Sequence, residues 1–380
     1  MLRLLSLLAL LLAAVPAQEA VPLKIGTWNL EFLGADPKYR RDTPPRTDED
    51  YARIGAFIRE LGVSALGVQE ICGQQPLDKV AAAIGPTWRA VLGTTGQWSD
   101  GLTQQGVGLL YNSAQLQLLH CEELLDFPSE RDGVNVFHRK PVTACLRHFG
   151  TGADFRIAVV HLKAGRKDRD KQKRRAEAQT LREWVDRLQR DPDEDPDIVI
   201  LGDFNCTYGD APEQILEQDG AMQYLDQQRP SPTILWFDTP IDQFAVGRGF
   251  AEIRRDSLVA HAVDGEEQRS AFRKTFSDHF PCTVVLDLNG DDDPQATFAR
   301  GPATQVLPLS RRPKAAATAP SAPAWPPAVG TTVVVYAGEQ TYTGELLRSL
   351  PREHGWVVIA VDGKPRGFPM QNVRYVRIKD

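Results

Sequence analysis

The chain has 380 residues, 42% of them hydrophobic and 25% charged. That is apolar material for one large core and a smaller one, and it excludes a disordered or collagen-like polypeptide. The 44 basic and 50 acidic side chains leave a formal charge of −6, so any site for a polyanion has to be local rather than a property of the whole surface.

At the N-terminus Arg3 precedes an apolar run from Leu4 to Val15, followed by Val15-Pro16-Ala17 ahead of Gln18. The run is too short to span a bilayer. A positive start, a short apolar stretch and small residues at a cleavage point predict a signal peptide over 1–17, hence a secreted or periplasmic protein without a stable membrane anchor. Export makes Cys72, Cys121, Cys145, Cys206 and Cys282 candidates for disulfides, with one thiol left over. Cys121 and Cys145 flank a predicted hairpin and form the expected pair. The alternative is a set of buried thiols acting as small hydrophobes.

Beyond the signal, strands are predicted over 23–28, 65–69, 108–111, 155–161, 198–201 and 282–286, and helices over 46–61 and 171–188. Strands interleaved with helices predict a layered α/β domain over 22–288. From 289 to 327 the composition turns acidic and then rich in Ala, Pro and Thr, which predicts a linker. Strand character returns over 331–336, 342–349, 356–361 and 373–378, so 328–380 is expected to be a small β-barrel. Val329-Gly330, Tyr342-Thr343-Gly344-Glu345 and Val361-Asp362-Gly363 resemble an SH3- or Tudor-like module. That would make it a binding or spacing unit for a ligand the sequence does not identify.

Polar groups cluster where apolar strands end, the place where α/β folds put their active sites. Asn29 ends the first such run and Glu70 the second, Asp203 and Asn205 follow Ile198-Val199-Ile200-Leu201, and Asp278 and His279 precede the last strand. Any one of these is ordinary turn chemistry. Together, Glu70 and Asp278 offer the hard oxygens that suit Mg²⁺, Mn²⁺ or Ca²⁺, and His161 and His279 can move a proton near neutral pH.

The ordered series Trp28-Asn29, Gln69-Glu70, Gly106-Val107-Gly108-Leu109, His161-Leu162-Lys163, Gly202-Asp203-Phe204-Asn205, Ile241-Asp242 and Ser277-Asp278-His279 resembles the endonuclease/exonuclease/phosphatase superfamily, which includes DNase I and the abasic-site endonucleases. The resemblance spans 25–285 and implies a DNase I-like four-layer α/β/β/α sandwich. It also implies that Glu70 ligates the metal with Asn29 and Asp278 close by, that Asn29 and Asn205 contact the scissile phosphate, and that Asp203 orients or deprotonates water. His279 would touch a phosphate oxygen while Asp242 holds its ring. His161 resembles the histidine that protonates the leaving oxygen in the DNase I-like and phospholipid-cleaving branches. DNase I supports that histidine with a Glu, for which the nearest counterpart here is Gln105.

Eight basic and two acidic residues between Lys163 and Arg175 give a local charge of +6. Such a run can follow a phosphate backbone, with Lys163, Arg174 and Arg175 as substrate contacts, although a solvated charged surface has the same composition. The leading expectation is a monomeric metal-dependent nuclease acting on DNA, with RNA as a further substrate. A secreted sphingomyelinase-like phosphoesterase is the rival. Asn205-Cys206-Thr207 departs from the Asn-Tyr-Arg of the inositide phosphatases, whereas Ile234-Leu235-Trp236-Phe237 could supply a bilayer-contacting hairpin, although a core strand is the expected reading. A non-catalytic scaffold is the third reading.

Overall fold

The computed structural model describes residues 21–35, 46–98, 104–192, 194–225, 231–236 and 238–292, and, further along, 332–337, 340–347, 356–362, 364–369 and 373–378. The signal peptide expected over 1–17 and all but the first four residues of the expected linker lie outside the described residues. The chain divides into two units, Met1–Arg312 and Pro313–Asp380.

In the first unit β1 (Val21–Leu33), α1 (Asp48–Leu61), β2 (Ala65–Ile71), α2 (Gln74–Ile84), β3 (Trp88–Leu92) and β4 (Gly106–Asn112) come first. Then follow β5 (Leu116–Glu123), the hairpin β6 (Glu130–Arg131) and β7 (Val134–Asn135), β8 (Val142–His148), β9 (Asp154–His161) and α3 (Asp168–Arg190). The unit is completed by β10 (Ile198–Asp203), α4 (Ala211–Glu217), β11 (Met222–Tyr224), β12 (Asp242–Gly247), β13 (Ile253–Ala260), α5 (Glu266–Thr275) and β14 (Cys282–Leu288). Two six-stranded sheets result, ordered β13-β14-β1-β2-β4-β3 and β11-β12-β10-β9-β8-β5.

Alternation along the strands explains the layering, because successive side chains leave opposite faces. Leu23, Ile25, Ala65, Ile157, Val159, Val199, Leu201, Phe244 and Val246 pack in one buried cluster between the sheets. Their neighbours Trp28, Leu66 and Val68 face α1, α2 and α5 through Ile54, Leu77 and Phe272. On the far side Val160, Ile198 and Ile200 meet Leu181 and Val185 of α3 and Leu216 of α4. Helices therefore cover the outer face of each sheet, giving four layers. The strands read as continuous apolar runs because both of their faces are covered.

The sheets approach closely at Gly67, where an added Cβ would lie 2.3 Å from Leu201 Cδ1 and 3.1 Å from a Val159 methyl. Gly67→Val is expected to cost roughly 1–3 kcal/mol through overpacking, measured as a lower denaturant midpoint at unchanged slope.

The expected disulfide does not form, and all five cysteines are free thiols. Cys121 and Cys145 do lie on adjacent strands, but Cys121 is opposite Ala144 and Cys145 opposite His120. This offset of one residue sends the two side chains to opposite faces of the sheet.

In the second unit β15 (Thr332–Ala337), β16 (Gln340–Leu346), β17 (Trp356–Val361), β18 (Lys364–Pro369) and β19 (Val373–Ile378) form one sheet ordered β18-β17-β16-β15-β19. Every pairing is antiparallel, around a small core of Val333, Val335, Leu346 and Ile359. β18 is absent from the sequence-based expectation because Pro365, Gly367 and Pro369 interrupt it, and such residues suit an edge strand. Among the described residues no helix is long and apolar enough to cross a membrane.

Candidate active site

The positions that pack between the sheets continue, two residues further along each strand, into polar side chains at one edge. After Leu23 and Ile25 the inner face of β1 carries Thr27 and Asn29, and after Ala65 and Gly67 that of β2 carries Gln69. Beyond Ile157 and Val159 on β9 comes His161, and beyond Val199 and Leu201 on β10 comes Asp203. Asp242 opens the inner face of β12. Within the second sheet, Asp203 pairs in register with His161 on one side and Asp242 on the other. Across the gap between the sheets Asn29 Nδ2 donates to Asp203 Oδ2 at 3.1 Å. Period-two patterning thus places carboxylates, imidazole and amide at one end of the core.

Two groups reach this edge by breaking the pattern. Glu70 follows outward-facing Val68 and would point to the helices, but the β2–β4 register shifts between Gln69 and Ile71 and Glu70 adopts φ 60°. A bulge with a left-handed residue re-aims its side chain, so that Glu70 Oε2 accepts from the Phe32 N–H at 3.2 Å and Oε1 lies 3.9 Å from His161 Nε2. Asn205, at φ 52°, donates its N–H to Asp203 Oδ1 at 2.9 Å and its side-chain amide to the Leu162 carbonyl at 3.1 Å. Non-glycine residues in this region cost about 1–3 kcal/mol each and collect at functional sites. Glu31, Phe32 and Phe137 share the conformation.

His279 arrives from the segment before β14. Its Nδ1 donates to Asp242 Oδ2 at 2.8 Å, and its Nε2 is 3.8 Å from Asp203 Oδ2. Burial opposes a charged imidazole here, yet Asp242, with Asp203 and Asp278 adding to it, holds His279 well above the usual histidine value. His161 has the opposite fate. Burial and the positive charges of Arg139 and His279 keep it well below that value, a neutral ring with Nε2 3.3 Å from Asp203 Oδ2. Asp203 is pushed up to about 7, chiefly by burial and against the pull of His279.

Glu70 is also raised, first by burial and then by the negative charge of Asp278. Glu70 and the Asp278 carboxylate that disfavours its charge, beside the amide of Asn29, form a hard-oxygen donor set that a divalent cation would relieve. The residues fit such an ion. Ligand atoms of Asp203, Asp242 and His279 also lie within 4.8 Å of one another, a second group able to hold an ion, in which the charge of His279, favoured by Asp242, offsets one of the two carboxylates.

A family model described as the endonuclease/exonuclease/phosphatase family matches residues 26–279. The chain belongs to this family. Membership places it among phosphoester hydrolases, and the matched residues run from the first inward-facing strand to His279. Solved structures share the fold. An endonuclease/exonuclease/phosphatase family protein from Bacteroides thetaiotaomicron is 17% identical, with a TM-score of 0.51 over 71% of this chain and 100% of that one. Another from Bacteroides vulgatus is 16% identical, with a TM-score of 0.53 over 70% and 99%. A mannosyl-6-phosphatase from Bacteroides thetaiotaomicron is 15% identical, with a TM-score of 0.50 over 70% and 99%. Comparison with curated protein sequences returns no match.

Around this endonuclease/exonuclease/phosphatase site the structure adds residues that sequence reasoning passed over. Arg139 is buried between the loops, donating from Nε to the His161 carbonyl at 3.1 Å and from a terminal nitrogen to Gln105 Oε1. Gln105 therefore holds Arg139, while His161 Nδ1 has no hydrogen-bond partner among the described residues. Glu177 accepts from the Phe137 and Lys163 N–H groups at 3.0 and 2.9 Å. Trp28 Nε1 donates to the His279 carbonyl at 2.8 Å, and Ser277 Oγ to that of Asn29 at 2.7 Å, tying the His279 segment to β1. A signal for Glu177 exists in the helix period, since Arg174, Glu177 and Leu181 fall on the buried face of α3.

The expected cationic contacts separate. Lys163 stays at the edge with Nζ 3.4 Å from Asp170 Oδ1. Arg174 is buried, and one of its terminal nitrogens donates to the Lys163 and Gly165 carbonyls at 2.7 Å each, so it braces the loop after β9. Arg175 is exposed on α3. Ile234-Leu235-Trp236 is not the core strand expected for it. Ile234 makes a single bridge to His279, and Trp236 is 58% exposed with the Arg273 guanidinium 5.2 Å from its ring centre. Phe237 lies outside the described residues.

Proposed function

We propose that the chain is a secreted, divalent-metal-dependent phosphodiesterase, a nuclease that hydrolyses DNA by in-line attack of water, with RNA as a further substrate. The observation that carries this reading is the setting of the edge: Glu70 and His161 open onto a concave surface whose wall includes Arg139, Lys163 and Lys173. On an acidic chain, cations gathered beside a hydrolytic edge suit a phosphate backbone.

In this reading Asp203, whose pKa lies near neutrality, orients water and takes its proton. His279, kept charged by Asp242, donates to a non-bridging phosphate oxygen as negative charge builds there. Asn29 and Asn205 contact the same phosphate. Neutral His161 keeps an N–H to offer the leaving oxygen. Glu70, with Asn29 and Asp278, would hold Mg²⁺, Mn²⁺ or Ca²⁺, whose charge would offset the negative charge that develops on the phosphate. The second unit, as an SH3- or Tudor-like module, would add a binding surface of its own.

Exposed Trp236 is the observation that favours the rival, a sphingomyelinase-like enzyme, because an exposed indole suits a membrane interface. Purified protein incubated with single-stranded DNA, plasmid, RNA and sphingomyelin vesicles, with Mg²⁺ or with EDTA, separates the two. Strand scission that disappears in EDTA is expected. Turnover of sphingomyelin alone would replace the nuclease reading, and no turnover of any substrate would favour a scaffold.

A further inference from the structure

The concave surface beside Glu70 and His161 has a volume of about 930 Å³, large enough for a nucleotide-sized group. One wall is aromatic. Phe32 and Trp98 meet edge to face with ring centroids 5.6 Å apart, and Trp98 is partly exposed. The same cavity is also lined by exposed His138 and partly exposed Lys163 and Lys173.

Trp98 is presented by a loop with fixed stems. Glu123, fully buried, accepts from the backbone N–H groups of Thr94 and Thr95 at 2.7 and 2.9 Å and from both of their hydroxyls. The Lys140 N–H donates to Thr95 Oγ1 at 2.7 Å. Gln104 Nε2 donates to the carbonyls of Gly93 and Thr95 at 2.7 and 3.0 Å, and the Gln105 N–H to that of Gly96 at 2.9 Å. A buried carboxylate that accepts from four donors of Thr94 and Thr95 fixes the stem that leads to Trp98, and a fixed stem lowers the ordering cost of a ligand that stacks there.

We propose that this cavity receives an unpaired nucleobase of the nucleotide next to the scissile phosphate, with Trp98 as its stacking surface and Lys163 and Lys173 facing the adjoining phosphate. Aromatic faces beside lysines match the two halves of a single-stranded nucleotide, a flat ring and an anionic backbone. A lipid tail would ask for a continuous apolar lining instead. A paired base in a duplex is held in its own stack, so single-stranded DNA or a frayed end is the preferred substrate class. The inference rests on the nuclease reading and narrows it.

The test combines a protein change with a substrate change. Wild type, Trp98→Ala and Trp98→Phe are assayed with Mg²⁺ on a thymidine dinucleotide and on two analogues lacking the base on one side or the other. For wild type, removing one particular base should lower kcat/KM roughly 10- to 100-fold, the range of one base–aromatic stack. For Trp98→Ala the dinucleotide should already be slow and base removal should change little, whereas Trp98→Phe should recover most of the dependence on the base. Equal sensitivity to base removal in wild type and Trp98→Ala would overturn the proposal. So would a Trp98→Ala enzyme as fast as wild type on the full dinucleotide. A wild type that cleaves no nucleic acid at all but turns over sphingomyelin removes the nuclease reading itself, and this inference with it.

Discussion

His279→Gln is expected to lower kcat/KM for DNA hydrolysis by about 10³-fold, the scale of losing a proton-donating group that meets developing charge. The loss should fall on kcat more than on KM, because the imidazolium is proposed to act on charge that grows in the transition state. Glutamine is preferred to alanine for a structural reason. His279 donates to Asp242 Oδ2 at 2.8 Å, and the other Asp242 oxygen is buried with no hydrogen-bond partner among the described residues. Alanine would leave that carboxylate buried and uncompensated, a loss on the order of 3–5 kcal/mol, so its inactivity could be mistaken for unfolding. The glutamine amide keeps a donor and removes the charge. Activity assays paired with urea denaturation check this, and a His279→Gln enzyme within tenfold of wild type would exclude the imidazolium from the chemistry.

Glu70→Gln is expected to weaken the apparent affinity for Mg²⁺ by at least about tenfold and to depress kcat with it. A second expectation runs the other way. Burial and the charge of Asp278 raise the Glu70 pKa, so near neutral pH its ionised form opposes folding when no metal is bound. The sign follows from linkage. Below the usual carboxylate value the group is protonated in folded and unfolded chains alike and has no effect; as pH rises above it the unfolded chain ionises first and the native state loses ground. In EDTA at neutral pH the variant should therefore melt no lower than wild type, and addition of Mg²⁺ should raise the wild-type Tm and leave the variant's almost unchanged. Calorimetry at two metal concentrations reads both effects. This is the trade of stability for function expected where a site gathers like charges before its ion arrives.

Much of the frame is legible in the residues because burial on both faces leaves a plain mark. Ile198-Val199-Ile200-Leu201 and the run ending at His161 have no alternative to a covered strand, and they lead directly to Asp203 and His161 at their ends. Edge elements leave a weaker mark. β13 carries Arg254, Arg255 and Asp256 on a half-exposed strand, and α5 buries only Phe272, so neither has the period that reveals an element. The orientation of Glu70 could not be read from alternation, since its bulge reverses the side that alternation assigns. Arg139 was invisible for a different reason: its partners Gln105 and the His161 carbonyl are remote in the chain, and an isolated arginine before a strand has no pattern to announce it. The basic run before and within α3 shows the limit of counting charges, because Arg174 belongs to the buried stripe and only the three-dimensional path distinguishes it from Arg175.

Asp203 is where the two sheets join chemically, approached by Asn29 and His279 from the side of the first and by His161 and Asn205 from the second. The most direct measurement is the rate of DNA strand scission by Asp203→Asn beside wild type, as Mg²⁺ is returned to EDTA-treated protein. Asparagine keeps the size of the side chain and removes its ability to take a proton. Wild type should regain activity with added metal, while the variant should stay at least about 10²-fold slower at every metal concentration with its fold intact. A variant that matches wild type, or a wild type equally active in EDTA, would contradict a metal-assisted hydrolytic site at this edge.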